Sequence, residues 1–354
     1  MTGLTASLAE LGWQPFFSRQ LSTEEAAEAV PGRVLGLQRR QLSVAVDGAT
    51  VEVTLGGRWY QLGAEERPTI GDWVLLDATA TVVLRLLERS SLLKRVAAGR
   101  EREVQPMAAN VDVLFVVSAC NDEFNPSRLE RYLALALDAG VEPVVVLTKA
   151  DQAETPDAFV DAVRALKRDI VVELVDARDP DSLGGVRAWC APGRTVALLG
   201  SSGVGKSTLV NSLCGVEAQA TGAARADDDK GRHTTTGRSL HRLPDGGLLV
   251  DNPGMRELAL AEVDAGAAAA LFADVEALAA RCRFRDCEHE SEPGCAVRDA
   301  LAAGELDPRR VDSYRKMRRE DARSRETLAE SRARFRQFGR HVRQVQKDKH
   351  RRDP

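Results

Sequence analysis

The chain has 354 residues, 44% of them hydrophobic, which allows two or three domains with their own cores and excludes disorder throughout. A formal net charge of −4 hides an asymmetry: residues 309–354 hold 17 Lys/Arg against 7 Asp/Glu, so a basic segment is joined to an acidic body. No run approaches the roughly 18 uninterrupted apolar residues of a membrane span, and MTGLTASLAELGWQPFF has no basic region ahead of its apolar residues; the expectation is a cytoplasmic protein with no membrane contact.

After an N-terminal extension (1–28), residues 32–87 alternate short β-rich runs with turn signals. GRVLGL, QLSVAV, TVEVTL, DWVLLD and VVLRLL are separated by Asp47-Gly48, Gly56-Gly57 and similar breaks. Five strands without a helical period predict a small antiparallel barrel over 29–104. An oligonucleotide-binding (OB) barrel fits, and an SH3-like barrel would read much the same. From Ala109 strands alternate with helices: VDVLFVVSA, PSRLERYLALALDAG, VEPVVVLTKAD, DAFVDAVRALKRD, DIVVELVDARD, SLGGVRAWC and RTVALLG. Such βα repeats predict a parallel sheet with helices on both faces, assigned to residues 105–260. Glu217–Gly237 reads as a loop, and RSLHRLPDGGLLVDNPG as a hairpin turning at 244–247. A last region, 261–354, opens with an Ala-rich helix over AEVDAGAAAALFADVEALAARC and ends in the basic segment, helical by composition.

Gly200, Ser201, Ser202, Gly203, Val204, Gly205, Lys206 and Ser207, followed by Thr208, spell GxxxxGKS/T between a predicted strand and a predicted helix. Glycines there let backbone N–H groups wrap phosphates, the helix N-terminus adds partial positive charge, Lys206 reaches the β/γ-phosphates, and Ser207 offers a hydroxyl to Mg²⁺. LLVDNPG supplies DxxG some 45 residues later. Asp251 can hold Mg²⁺ through water, and the Gly254 N–H can approach a γ-phosphate. Between them GRHTTTG (231–237) offers Thr234 or Thr235 to complete the Mg²⁺ shell.

VVVLTKAD (144–151) carries the base-reading chemistry. The Asp151 carboxylate can accept from N1–H and the exocyclic amine of guanine, a pair adenine does not present, and the Lys149 stem can pack along the base. Thr148 stands where Asn is commoner. Asp176 and Ala177 end the strand VVELV in the place of the remaining base loop, where Ser-Ala is usual. The order along the chain is therefore guanine loop, P-loop, DxxG. Strand adjacency does not require a particular starting point, so the site survives such a permutation, and the chain leaves directly after DxxG.

Three of six cysteines and one of five histidines fall in Cys282-RFRD-Cys287-E-His289-ESEPG-Cys295. Cys₃His is a closed tetrahedral set for one structural Zn²⁺. The other cysteines, Cys120, Cys190 and Cys214, read as reduced thiols. Beyond the cluster, arginines interleaved with Phe335 and Phe338 suit a phosphate backbone.

TKAD at 148, GSSGVGKST at 200, GRHTTT at 231, DNPGMRE at 251 and CRFRDCEHESEPGC at 282 together resemble the circularly permuted, ribosome-associated GTPases of the RsgA (YjeQ) type, over nearly the whole chain. The resemblance implies an N-terminal OB-fold, a permuted P-loop α/β GTPase domain and a C-terminal helical zinc-binding domain. It implies GTP hydrolysis to GDP in late maturation of the small (30S) ribosomal subunit, contact with 16S rRNA, stimulation by the subunit, and other assembly factors as further partners of a monomer. It also points to His233 as the residue that orients water, because Met255 follows DxxG where many GTPases carry Gln. An RNA-binding scaffold with a slowly turning-over regulatory GTP site, and a GTPase of metabolism or metal delivery, are the alternatives.

Overall fold

The computed structural model describes residues 6–38, 40–96, 104–215, 239–251 and 265–324. The chain divides into two compact units, Met1–Ala261 and Glu262–Pro354.

In the first unit, α1 (Pro15–Ser18) and α2 (Thr23–Glu28) precede the strands. Ser22 caps α2 reciprocally: its hydroxyl accepts from Glu25 N at 3.1 Å, and Glu25 accepts from Ser22 N at 2.9 Å. Trp13 and Phe17 pack on Trp73, with ring centroids 4.8 and 5.7 Å away. The segment is thereby fastened to the strands that follow.

The five expected strands are present as β1 (Val30–Gln38), β2 (Gln41–Val46), β3 (Ala49–Thr54), β4 (Trp73–Leu76) and β5 (Val83–Leu86). They pair antiparallel in the order β3-β2-β1-β4-β5, with a register shift in β1 between Val34 and Gly36. β6 (Leu92–Val96) and β7 (Val104–Ala109), not anticipated from the pattern, form their own two-stranded sheet.

From β8 (Val113–Ala119) the βα alternation appears as expected: α3 (Pro126–Asp138), β9 (Glu142–Thr148), α4 (Pro156–Leu166), β10 (Val171–Leu174), α5 (Gly184–Trp189), β11 (Thr195–Leu199) and α6 (Lys206–Cys214). The hairpin follows as β12 (Ser239–Arg242) and β13 (Leu248–Asp251). Strand order is β10-β9-β8-β11-β13-β12, and all neighbours are parallel except β12 against β13. Every residue of β8 is buried, the signature of a strand covered on both faces, which is why its sequence is apolar without alternation. Val113, Phe115 and Val117 share one core with Val144, Val146, Val196 and Leu209. β12 also meets β1, at Ser239 and Gly36, so one mixed sheet of eleven strands runs from the βα region into the antiparallel strands.

A buried guanidinium joins the same regions. Arg33, fully buried, donates to the carbonyls of Gly71 (3.2 Å), Asn110 (2.9 Å) and Leu11 and to Thr195 Oγ1 (2.8 Å). Its partners thus come from the N-terminal segment, the antiparallel strands, the approach to β8 and the first residue of β11. Burial pushes its pKa down to about 10, still protonated at neutral pH, with Asp112 and Asp72 opposing the shift. Beside it a Cβ on Gly12 would stand 2.6 Å from the Gly193 carbonyl oxygen, and one on Gly193 2.8 Å from that of Ala9.

The second unit contains α7 (Ala265–Leu271), α8 (Ala273–Ala279), α9 (Ala296–Ala302) and α10 (Pro308–Ser324). The single Ala-rich helix expected over 261–282 is broken at Phe272, which leaves helical geometry at ψ 37 and is fully buried against Tyr314, 5.6 Å between ring centroids. Tertiary packing overrides alanine's helix propensity at this position. Arg310 stacks 4.8 Å over Phe272 and makes two bonds to Asp274, at 2.6 and 2.7 Å. Among the described residues, no helix is long and apolar enough to cross a membrane.

Candidate nucleotide site and metal cluster

Parallel strands deliver the loops that follow them to one edge of the sheet. TKAD leaves β9, the Asp176 loop leaves β10, the glycine loop leaves β11, and Asp251 ends β13. All four therefore share an edge although their chain order is permuted.

Gly200 is required where β11 ends, because a Cβ there would sit 2.3 Å from the Val117 carbonyl oxygen. Gly203 (φ 80°) and Gly205 (φ 92°) turn the loop in the left-handed region. Ser202 and Gly203 are exposed at its crest, while Val204 is buried and anchors it in the core. α6 begins at Lys206 behind Gly205 with no side-chain cap, which leaves its first N–H groups to an anion; Ser207 and Thr208 are half-buried in that first turn. Lys206 Nζ donates to Gly200 O at 2.7 Å and to Ser201 O, so the ammonium lies along the loop a polyphosphate would occupy.

Thr148 is fully buried, and its hydroxyl donates to Val204 O at 2.6 Å, with Ser118 O at 3.2 Å. The residue that departs from the commoner Asn thus links the TKAD loop to the P-loop backbone. Lys149 follows in the left-handed conformation (φ 58°), turning the chain so that Ala150 N reaches Val175 O at 3.3 Å. Asp151 sits beyond that turn with its carboxylate partly exposed and paired with Arg178 at 3.2 Å.

Asp251 closes β13 one residue after Val250, which pairs with Ala197 of β11, so the register sets it beside the end of the P-loop strand. Burial and the Asp251 carboxylate together push the Cys214 thiol up, which marks the acid's charge near the end of α6. His233, Thr234, Thr235 and Gly254 lie outside the described residues.

In the second unit, Cys282, Cys287, His289 and Cys295 bring their ligand atoms within 4.8 Å of one another. His289 Nδ1 is 3.6 Å from Cys282 Sγ and 3.4 Å from Cys295 Sγ, and those sulfurs are 3.8 Å apart. Bonds of ~2.3 Å from a tetrahedral zinc would separate two sulfurs by about 3.8 Å, so this donor set fits that ion. Burial pushes the Cys287 thiol up to about 12, with Cys295 and Cys282 adding to the rise, so a bound cation is what would favour thiolates here. Burial and then Arg315 and Arg318 lower His289, which keeps its imidazole neutral and able to donate a lone pair. Away from the cluster, burial likewise raises Cys120 to about 11 and Cys190 to about 12, as expected for inert thiols.

Residues 86–261 match the family model described as RsgA GTPase. The chain is 47% identical over 343 residues to small ribosomal subunit biogenesis GTPase RsgA 2 of Vibrio vulnificus, covering 97% of this chain and 96% of that protein. The chain belongs to the RsgA GTPase family. Another relative, RsgA 2 of Vibrio parahaemolyticus, is 48% identical over 345 residues, covering 98% and 94%. RsgA of Mesorhizobium japonicum is 46% identical over 320 residues, covering 90% of each. Among solved structures the fold is similar to YjeQ from Thermotoga maritima (TM-score 0.60, 24% identity, 83% of this chain and 99% of that one). It is also similar to YloQ, described as a circularly permuted GTPase (TM-score 0.59, 23% identity, 85% and 97%).

Two arginines of this RsgA-family chain stand at the candidate site without a motif to announce them. Arg128, in the first turn of α3 behind the cap residue Asn125, bonds the Ser201 hydroxyl from 73 residues upstream. Arg178 reaches Asp151 from the loop after β10. Arg128 lies at the start of a helix and Arg178 in a polar loop, and only the fold brings each to the loop it touches.

Proposed function

We propose that this chain hydrolyses GTP to GDP and phosphate during late maturation of the small ribosomal subunit, and that the subunit stimulates its turnover. The observation that carries the reading is the juxtaposition of Thr148 with Val204. It brings a guanine-type loop and a P-loop to one sheet edge, in a chain whose relatives over nearly their whole length are named small ribosomal subunit biogenesis GTPases.

In this reading the N–H groups of Gly203, Val204, Gly205, Lys206, Ser207 and Thr208 wrap the phosphates, and Lys206 leaves its carbonyl partners to neutralise β/γ oxygens. Asp151 accepts from guanine, with Thr148 and Lys149 holding its loop. Ser207 and Asp251, joined by Thr234 or Thr235, are the residues to hold Mg²⁺, an ion that neutralises charge developing on the phosphate oxygens. Gly254 N–H approaches the γ-phosphate, and His233 accepts a hydrogen bond from the attacking water. Cys282, Cys287, His289 and Cys295 hold one structural Zn²⁺. The antiparallel strands within 29–104 serve as an OB-type module ahead of the GTPase region (105–260). The zinc-binding region (261–354) brings its basic segment to 16S rRNA. The protein works as a cytoplasmic monomer alongside other assembly factors.

GTP turnover with and without purified small subunits tests this directly. Stimulated turnover is expected, together with a loss of about 100-fold or more in His233→Ala at unchanged GTP binding. Stimulated turnover that survives in His233→Ala removes the histidine from the mechanism. GTP binding without turnover in either condition points instead to an RNA-binding scaffold.

A further inference from the structure

In the loop after β10, Asp176 and Arg178 flank the buried Ala177, with Asp179 and Asp181 following them. The loop is pinned on both sides. The Ala177 carbonyl accepts from Ser212 Oγ of α6 at 2.6 Å, and Val175 O accepts from Ala150 N of the TKAD turn at 3.3 Å. Asp176 is fixed within it: Oδ1 accepts from the Arg178 backbone N at 2.9 Å, and its carbonyl accepts from Ser182 Oγ at 2.6 Å. The backbone that carries Arg178 is thus fixed, while its side chain is largely exposed. Arg178 Nη2 bonds Asp151 Oδ2 at 3.2 Å while its Nε lies 3.6 Å from Asp176 Oδ1. Two carboxylates from two loops converge on one guanidinium.

We propose that Arg178 is a positioning residue for guanine selectivity: it offsets the Asp176 charge and holds the Asp151 carboxylate turned to receive N1–H and the 2-amino group of the base. The inference rests on the guanine-binding reading of TKAD. Without the guanidinium, Asp176 repels Asp151 across the pocket edge. Asp151 relieves that repulsion by rotating toward solvent, since its carboxylate is partly exposed. Both hydrogen bonds to guanine weaken, whereas hypoxanthine, which lacks the 2-amino group, has one such bond to lose. Selectivity between the two bases therefore falls together with affinity. Asp176 is the reason the cation is needed, so removing that acid as well should relieve the defect.

Titration of the full-length chain with fluorescent GDP and IDP in Mg²⁺ buffer tests this. Arg178→Ala is expected to weaken GDP about fivefold and IDP less, lowering the GDP/IDP ratio, as befits a solvent-exposed ion pair. Arg178→Lys, which keeps the charge, and Asp176→Ser in the Arg178→Ala background should each recover most of the ratio. Equal losses for the two nucleotides, an unchanged ratio, a double variant as weak as the single one, or tighter GDP binding by Arg178→Ala would overturn the inference. Tighter binding would mean that the arginine merely competes with the base for Asp151. If the unmodified chain binds neither nucleotide, the guanine-binding reading itself fails, an outcome separate from all of these.

Discussion

The loops at the sheet edge and the cysteine loop of the second unit are both collections of polar groups, but opposite forces hold them in place. At the sheet edge the scaffold comes first. Val204 and Thr148 are buried, Gly200 presses on β8, and the buried ends of β9 and β11 fix where TKAD and the P-loop begin. The cysteine loop, RFRDCEHESEPG between Cys282 and Cys295, has one large apolar residue, Phe284, and that residue is 41% exposed. Its order rests on local backbone bonds such as Arg283 N to Gly294 O at 3.0 Å, and on four donor groups facing one another. A packed scaffold can wait for its ligand; a loop without a core needs one.

The sharpest way to break that contrast is to remove the metal. Structural zinc contributes roughly 10–16 kcal/mol of apparent binding free energy to small domains, more than the residues of this loop can replace by packing. Cys287→Ser, or exhaustive chelation of the full-length chain, is expected to expose residues 262–354 to limited proteolysis while residues 1–261 stay resistant and still bind fluorescent GDP. Protease resistance that persists after metal loss would show that the second unit carries a sufficient core of its own, in Phe272, Tyr314 and their neighbours.

A smaller effect sharpens the other half of the comparison. Arg33 is one of the charged residues buried inside the scaffold, and Arg33→Met would leave the Leu11, Gly71 and Asn110 carbonyls without this donor. A loss of about 3–5 kcal/mol is expected, confined to the first unit. All four tryptophans, at 13, 59, 73 and 189, lie in that unit, so urea unfolding followed by tryptophan fluorescence reports on it selectively. A shift below about 1 kcal/mol would mean that the methionine packs as well as the guanidinium bonds.

The same contrast explains what could be read from the sequence. Buried parallel strands announce themselves as apolar runs, and the P-loop, TKAD and the C-x4-C-x-H-x5-C spacing are local, so the elements from β8 to β13 and the four facing donors of the cluster were legible. Long-range polar pairings were not. Nothing in GRVLGL tells that Arg33 is swallowed by four segments, and nothing in VDARD tells that Arg178 meets Asp151. The continuous sheet from β12 into β1 was equally hidden, because Gly36 and Ser239 lie two hundred residues apart and neither carries a pairing signal. The break at Phe272 depends on Tyr314, which belongs to another helix.

The gentlest test concerns Glu292, the residue that orders the cysteine loop without ligating anything. Its carboxylate accepts the backbone N–H groups of Glu288 (2.8 Å), Glu290 (2.9 Å) and Ser291 (3.0 Å). Those bonds, that of Glu288 foremost, lower its pKa from 4.5 to about 2. A carboxylate depressed on folding stabilises the loop fully above its ordinary pKa, and that contribution fades as pH falls from about 4.5 toward about 2. Glu292→Gln should therefore release zinc to a chelator about two- to fivefold faster than the unmodified chain at neutral pH, a modest factor because the group is exposed. Acid protonates the cysteine ligands in both proteins alike, so the informative quantity is the ratio of the two release rates. That ratio should stay constant down to about pH 5 and fall toward one as pH drops from about 4.5 toward about 2. A ratio that does not change with pH would assign the loop's order to its turns and its metal alone, and would make the cysteine loop still more dependent on its ligand than the comparison already holds.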